Sequence, residues 1–451
     1  MMLKIRQFLK KVDWKMVGVI LVAIILRLAL TPTIFHGDII AQAGWGKWIF
    51  DNGIKGFYEN NVWIYVWPNQ PPLISLLYSW GFEIYAQINT GLILLGDFIA
   101  RNRLGASYMP WLYTFIVWWG TEMFSDTPFK VGQLISMKLW PIAADFVLAY
   151  IIFVIVKKAT DVKKAKLVTV VYLLSPFVWY ESGMWGQHDQ LGLIFLLLAF
   201  MAMVSERYSF WSPLLMMTSI LLKPTALFFG PLLFWVGMKN KTVFLKMMAG
   251  SVLALAEYYW ITRIFSDYSF VSFSVSLKNQ MFVKGEIMTW ANTFNLWRVI
   301  TGYITDYKNI FLGLTLKTWG YVMFVPIYLL GLKISQKRDW WSVLKAMFVV
   351  GFGGWMTMVT MHDRYLFPAV VLGLILSSKE TRLWKYWVVM SVIFWINMYN
   401  GWWTPKFMDW LRYILTFDNE MDGMVPKILS MVNVWLMVRM FGIVRKDKKS
   451  L

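Results

Sequence analysis

Three short polar clusters interrupt an otherwise apolar chain: FHGD at 35–38, WGQHDQ at 185–190 and MHDRY at 361–365. Between them they hold every histidine of the sequence, His36, His188 and His362. Asp38 follows an apolar run, a place where a carboxylate can take the proton of a hydroxyl nucleophile. The plainer reading makes it the N-cap of a helix over 39–50. Gln187, His188 and Asp189 stand where a helix begins after a loop. Free backbone N–H groups there attract anions or sugar hydroxyls, and Asp189 serves equally as a cap. His362, Asp363 and Arg364 share one turn between two apolar segments. Arg and His hold a phosphate through charge-assisted hydrogen bonds. The alternative is an arginine reaching for lipid headgroups, but three polar groups in so short a turn favour a functional role. Lys223 precedes Pro224 between two short apolar segments and is read either as a phosphate partner or as a turn marker.

Other polar residues lie inside apolar segments. Lys138 and Asp145 are seven residues apart, about two helical turns, and share one face of their helix. Such an intramembrane pair points inward and is structural or functional. Arg27 and Glu257 are also inside apolar segments, with no role assigned by their surroundings. No DxD or HExxH pattern occurs and the histidines are far apart, so no metal site is expected; divalent-metal dependence stays open. No phosphate-binding glycine pattern stands in a fitting context. The chain has no cysteine, which excludes disulfides and thiol chemistry.

The elements that must position these groups are membrane helices. The chain has 451 residues, is 58% hydrophobic and carries a formal net charge of +19. A hydrocarbon core about 30 Å thick needs ~20 apolar residues in helix, and several runs reach that length. The reading is all-α: a polytopic transmembrane bundle of about twelve spans. They are placed near 14–34, 132–156, 167–180, 189–205, 209–222, 225–238, 243–264, 309–331, 342–361, 364–378, 384–400 and 426–444. Segments 71–95 and 108–124 add two spans or form outer re-entrant or interfacial helices. The 28 tryptophans and 21 tyrosines suit interfacial belts.

The positive charge falls mostly in short loops beside the spans, which reads as the positive-inside rule rather than as nucleic-acid binding. Basic segments near 4–15, 157–166, Arg207, 239–241, 333–339, 377–385 and 445–449 then lie inside. The loops at 35–70, 181–188, 223–224, 265–308, 362–363 and 401–425 fall outside, so all three polar clusters share one face. The N-terminal apolar run continues to Pro32 without a small-residue cleavage site and is read as a retained first helix. Within the first outer loop, residues 38–50 are expected to form an interfacial helix with Ile39, Trp45, Trp48 and Ile49 facing lipid. Asp51-Asn52-Gly53 supplies its terminating turn, and Pro71-Pro72 opens the next apolar stretch. The chain is treated as one integral membrane domain over 1–451, with a module over 14–264 and a C-terminal helical module over 265–451.

The ordered set of motifs resembles the GT-C superfamily of integral membrane glycosyltransferases, which use polyprenyl-phosphate sugars. It comprises Asp38 in a long first outer loop, Pro71-Pro72, K-L-x-P-x-x-x-D from Lys138 to Asp145, SPFVWYESGMWGQHDQ (175–190), KPT (223–225), NTFNLW (292–297) and HDRYLFP (362–368). The set spans roughly residues 15–370 and is most similar to bacterial relatives of the dolichyl-phosphate-mannose and dolichyl-phosphate-glucose transferases. The resemblance implies a lipid-phosphate-sugar donor, a hexose guessed as mannose, and a lipid-linked or glycan acceptor of the cell envelope. It implies inversion at the outer face of the plasma membrane with Asp38 as base and no cofactor. His362 and Arg364, with Lys223, would steady the leaving phosphate. Gln187, His188 and Asp189 would line the sugar or acceptor pocket, and Trp45, Trp48, Trp63 and Trp67 would pack on lipid or a sugar ring. The chain departs from the family pattern in lacking a second acid beside Asp38, where Ile39 stands, and in having Asp363 where Glu is usual.

Two competing readings stay in view. A membrane transporter or lipid flippase explains buried charges and many helices, but such proteins favour repeated halves and midplane sites. A non-catalytic assembly subunit predicts that Asp38→Asn is harmless.

Overall fold

The computed structural model describes residues 13–33, 36–60, 67–101, 110–124, 127–282, 289, 292–302, 305–401, 408–419 and 423–446. Helices dominate throughout. In chain order they are α1 (Trp14–Leu30), α2 (Gly37–Asn52), α3 (Pro72–Arg101), α4 (Pro110–Gly120), α5 (Val131–Ala159), α6 (Val162–Leu174) and α7 (Pro176–Trp179), which runs into a π-helix at Tyr180–Trp185. Then come α8 (Asp189–Val204), α9 (Ser212–Leu222), α10 (Gly230–Gly237), α11 (Lys241–Phe265), α12 (Phe270–Phe282) and α13 (Leu296–Thr301). The last are α14 (Leu316–Ile334), α15 (Trp340–Thr357), α16 (Phe367–Ser377), α17 (Trp384–Asn400), α18 (Asp409–Thr416) and α19 (Met424–Arg445). Strands among the described residues are confined to two small antiparallel hairpins, Glu122–Phe124 with Thr127–Lys130 and Ile310–Phe311 with Leu314–Thr315.

Local sequence explains many boundaries. Asp13, Asp161, Asn240, Thr315 and Asp339 each accept a backbone N–H at a helix start, as N-cap residues do. The segment expected as one span over 167–180 is broken, with a bend of 47° between α6 and α7. Pro176 causes the break: the residue before proline is driven out of the α region, and Ser175 is extended at ψ 132°.

Every segment expected to span coincides with a helix, yet not every one has the length of a span. Three helices are long and apolar enough to cross a membrane, Val131–Ala159, Leu316–Lys337 and Met424–Arg445, or four with the bent pair. Others, such as Asp189–Val204 and Ser209–Leu222, are shorter apolar helices. The expected spans 189–205 and 209–222 match these short helices almost to the residue, whereas 309–331 took in the hairpin that precedes α14. Apolar side chains nonetheless cover the outside of the bundle, including Val252, Leu255 and Trp260 on α11 and Met431, Trp435 and Val438 on α19. A surface of this kind is compatible with a lipid surround.

One correction concerns α2. It is a helix with a C-terminal turn at Gly53 (φ 82°), as expected, but it does not lie on the bilayer with its apolar side outward. Ile39, Trp45 and Ile49 are buried, and Trp48 packs edge-on against Phe57. The side chains expected to face lipid pack instead on α3 and on an aromatic cluster of Phe57, Tyr58, Phe265 and Phe273. Gly46 permits the approach, since a Cβ there would stand 2.8 Å from the Tyr78 carbonyl carbon. Small residues at contacts are how helices pack closely where lipid supplies no hydrophobic drive.

Buried charges tie the elements together. Arg27 of α1 donates to Asp145 of α5 at 2.7 Å, both fully buried, and Tyr172 and Ser182 add hydrogen bonds to the same carboxylate. Lys138 and Asp145 share a helix face but do not pair with each other. Lys138 donates to the carbonyls of Thr31 and Met184. Glu257 accepts from Thr218 across α11 and α9.

Candidate functional site

The three polar clusters meet. Asp38 occupies the first turn of α2, and the cap is His36, whose Nδ1 accepts the Asp38 backbone N–H at 2.9 Å. The carboxylate is therefore not consumed as the N-cap. Its Oδ2 accepts from Gln187 Nε2 at 2.7 Å and stands 3.5 Å from Arg364 Nη2. The side chain keeps 28% exposure, while that of Arg364 is 7% exposed. An acid and a guanidinium from distant parts of the chain thus share one partly open cleft.

Gln187 reaches Asp38 because the π-helix ends on Gly186, left-handed at φ 81°. A Cβ at that position would press on Ile39 and Lys138 as well as being strained. His188 follows; its Nδ1 shares a hydrogen bond with the Tyr78 hydroxyl at 3.0 Å, which also donates to the Gly186 carbonyl at 3.3 Å. Asp189 lies in the first turn of α8 and is not its cap. Its Oδ2 instead binds Lys223 Nζ at 2.7 Å, both side chains nearly fully buried. Gly192 makes room for the Lys223 stem, with a Cβ there falling 2.6 Å from Lys223 Cβ.

Arg364 sits among aromatic rings. Its Cζ is 5.4 Å from the Trp185 ring centre and 5.6 Å from that of Tyr365, within cation–π range. Lys223 Nζ is 5.5 Å from the same Tyr365 ring. The two cations therefore flank one tyrosine. Arg364 Nε and Nη1 are buried and make no hydrogen bond among the described residues, and Nη1 stands 3.8 Å from Asp363 Oδ1.

The histidines are held neutral. Burial, and after it the charge of Arg364, lowers His362 to about 3. Burial first, with Arg364 and a lysine beside them, likewise lowers His36 and His188 well below the usual imidazole value. His362 stands in the cleft, its ring 5.0 Å from Tyr365 and its carbonyl accepting from Trp355 Nε1. As a neutral imidazole it offers hydrogen bonds and no charge. A neutral His362 leaves the positive charge at this site to Arg364 and to Lys223, which burial lowers below the usual lysine value against the opposing pull of Asp189.

All seven residues picked from the sequence, Asp38, Gln187, His188, Asp189, Lys223, His362 and Arg364, belong to this one neighbourhood. Asp363 turns inward and accepts its neighbour's N–H, Arg364 N to Oδ1, at 2.8 Å. Trp45, Trp48 and Trp67 join the aromatic cluster behind α2 and do not line the cleft; Trp63 lies outside the described residues. Sequence reading missed Tyr78, Glu181, Trp185 and Tyr365 as site residues. Glu181 is fully buried, with Asp189 and Lys223 as charged neighbours. Trp185 and Tyr365 flank the motifs directly, and that adjacency was the available signal. No group of three or more acidic or histidine side chains suited to a metal occurs among the described residues.

The sequence matches no protein-family model and no curated protein.

Proposed function

We propose that the protein is a polytopic membrane glycosyltransferase of GT-C type. It transfers a hexose, taken as mannose, from a polyprenyl-phosphate-linked donor to an acceptor hydroxyl outside the cytoplasm. In this reading the bundle crosses the membrane about twelve times with both ends inside, and the cleft opens at the outer leaflet. The observation that carries the reading is the meeting of Asp38 with Arg364 and Lys223 in one partly open cleft. It supplies a base and an anion seat side by side.

The acceptor oxygen attacks the anomeric carbon while the bond from that carbon to the phosphate oxygen breaks. Attack opposite the leaving group inverts the centre. The acceptor proton passes to Asp38, on the oxygen not already held by Gln187 and Arg364. The electron pair of the broken bond moves to the phosphate, whose growing charge Arg364 and Lys223 stabilise. Neutral His188 and His362 and the amide of Gln187 orient hydroxyls.

The test is incubation of purified protein with radiolabelled polyprenyl-phosphate sugars and a membrane lipid extract. Release of free polyprenyl phosphate with a labelled product is expected. Movement of the intact labelled lipid across vesicles, with no release, would instead establish a flippase.

A further inference from the structure

The turn carrying Gln187 is gripped from behind by α5. The Asp145 carboxylate accepts from Ser182 Oγ at 2.5 Å, and Lys138 Nζ donates to the Met184 carbonyl at 2.5 Å. Ser182 and Met184 both lie in the π-helix. Seven residues of α5 rise about 10 Å, so the two grips come from one helix face. Lys138 also donates to the Thr31 carbonyl at 2.8 Å, at the end of α1. Carbonyls at helix C-termini lack helical N–H partners and favour a cation. Both α5 side chains are fully buried. The Lys138 stem also stands against Gly186, whose added Cβ would be 3.0 Å from Lys138 Cγ and 3.0 Å from Ile39 Cδ1. The turn is thus enclosed between Lys138 and the residue that follows Asp38. Wide π-turns of this kind recur at functional sites.

We propose that Lys138 is a positioning residue: with Asp145 it forms a two-point clamp on the 180–187 turn that sets Gln187 against Asp38. The clamp concerns the geometry of the turn and stands whether or not the cleft transfers a sugar.

Absence of native cysteine permits a direct test. Asp38→Cys with Gln187→Cys, in the full-length protein, is treated with dibromobimane, which fluoresces on bridging two nearby thiols. Thr218→Cys with Glu257→Cys, at a remote hydrogen-bonded contact, is the control pair. Lys138→Met is expected to cut bridging at 38/187 about tenfold and to leave the control pair unchanged. Unchanged bridging at 38/187 overturns the proposal. If both signals vanish because the bundle misfolds, Ser182→Ala decides, since it removes the Asp145 grip, with the local Ser182 bond to the Val178 carbonyl, and leaves both α5 side chains in place. A fall confined to 38/187 in that variant sustains the clamp, and full bridging overturns it.

Discussion

Asp38 is the residue on which the proposed chemistry turns, and its surroundings separate binding from proton transfer. In the proposed mechanism Arg364 and Lys223 hold the anion, while the carboxylate takes the proton. Asp38→Asn is close to isosteric and keeps a partner for Gln187, so donor binding should persist while turnover falls ~10²–10⁴-fold, the usual worth of a positioned base. Retained turnover would sink the assignment and favour the assembly-subunit reading. His362 makes a different prediction. Its folded value of about 3 lies below the usual 6.5, so the unfolded chain binds more protons between those values. Its contribution to stability is complete above pH 6.5 and is lost as pH falls toward 3. Donor binding should accordingly be flat between pH 6 and 8, with Arg364 always charged. A one-proton binding transition near pH 6.5 that disappears in His362→Gln would contradict this.

At the scale of elements, the site depends on how closely α2 lies on α3. Gly46 is the contact point, and its virtual Cβ meets backbone atoms of Tyr78, which cannot rotate aside. Gly46→Ala should therefore force the helices apart, at about 1–3 kcal/mol as in other overpacked contacts. A lowered thermal midpoint in detergent checks it, accompanied by weakened bridging between cysteines at 38 and 187. The same contact explains why α2 was misjudged. Its tryptophans and isoleucines are spaced like an interfacial helix, and periodicity reveals an apolar face without revealing what covers it. Here the cover is α3 and the Phe57–Phe273 cluster.

For the whole molecule, one apolar core runs from Ala23 in α1 to Val444 in α19, and buried charge pairs fix the relative placement of distant helices. Arg27–Asp145 joins α1 to α5 without exposure. Removing one member leaves an uncompensated buried charge. Asp145→Leu alone should destabilise by about 3–5 kcal/mol, while Arg27→Leu with Asp145→Leu should restore most of that loss. Unfolding of both variants in mixed detergent distinguishes the two outcomes, and equal losses would show that the pair acts only through local packing.

The sequence by itself determined the helical class, the positions of the long apolar helices and most of the residues that gather in the cleft, but it read as loops the segments that hold α12, α13 and α18. Polar groups in an apolar chain are costly to bury without a purpose, so Asp38, Gln187, Lys223 and Arg364 stand out against their neighbours. Tyr78 did not, because a tyrosine inside an apolar run has the same pattern whether its hydroxyl meets His188 or lipid headgroups. Tertiary structure alone decided that Asp145 pairs with Arg27, that His36 and not Asp38 caps α2, that the histidines are neutral, and that Lys138 grips the turn behind Gln187. Each of these depends on which atoms from remote segments come within hydrogen-bond distance, and hydropathy and spacing along the chain carry no record of that distance.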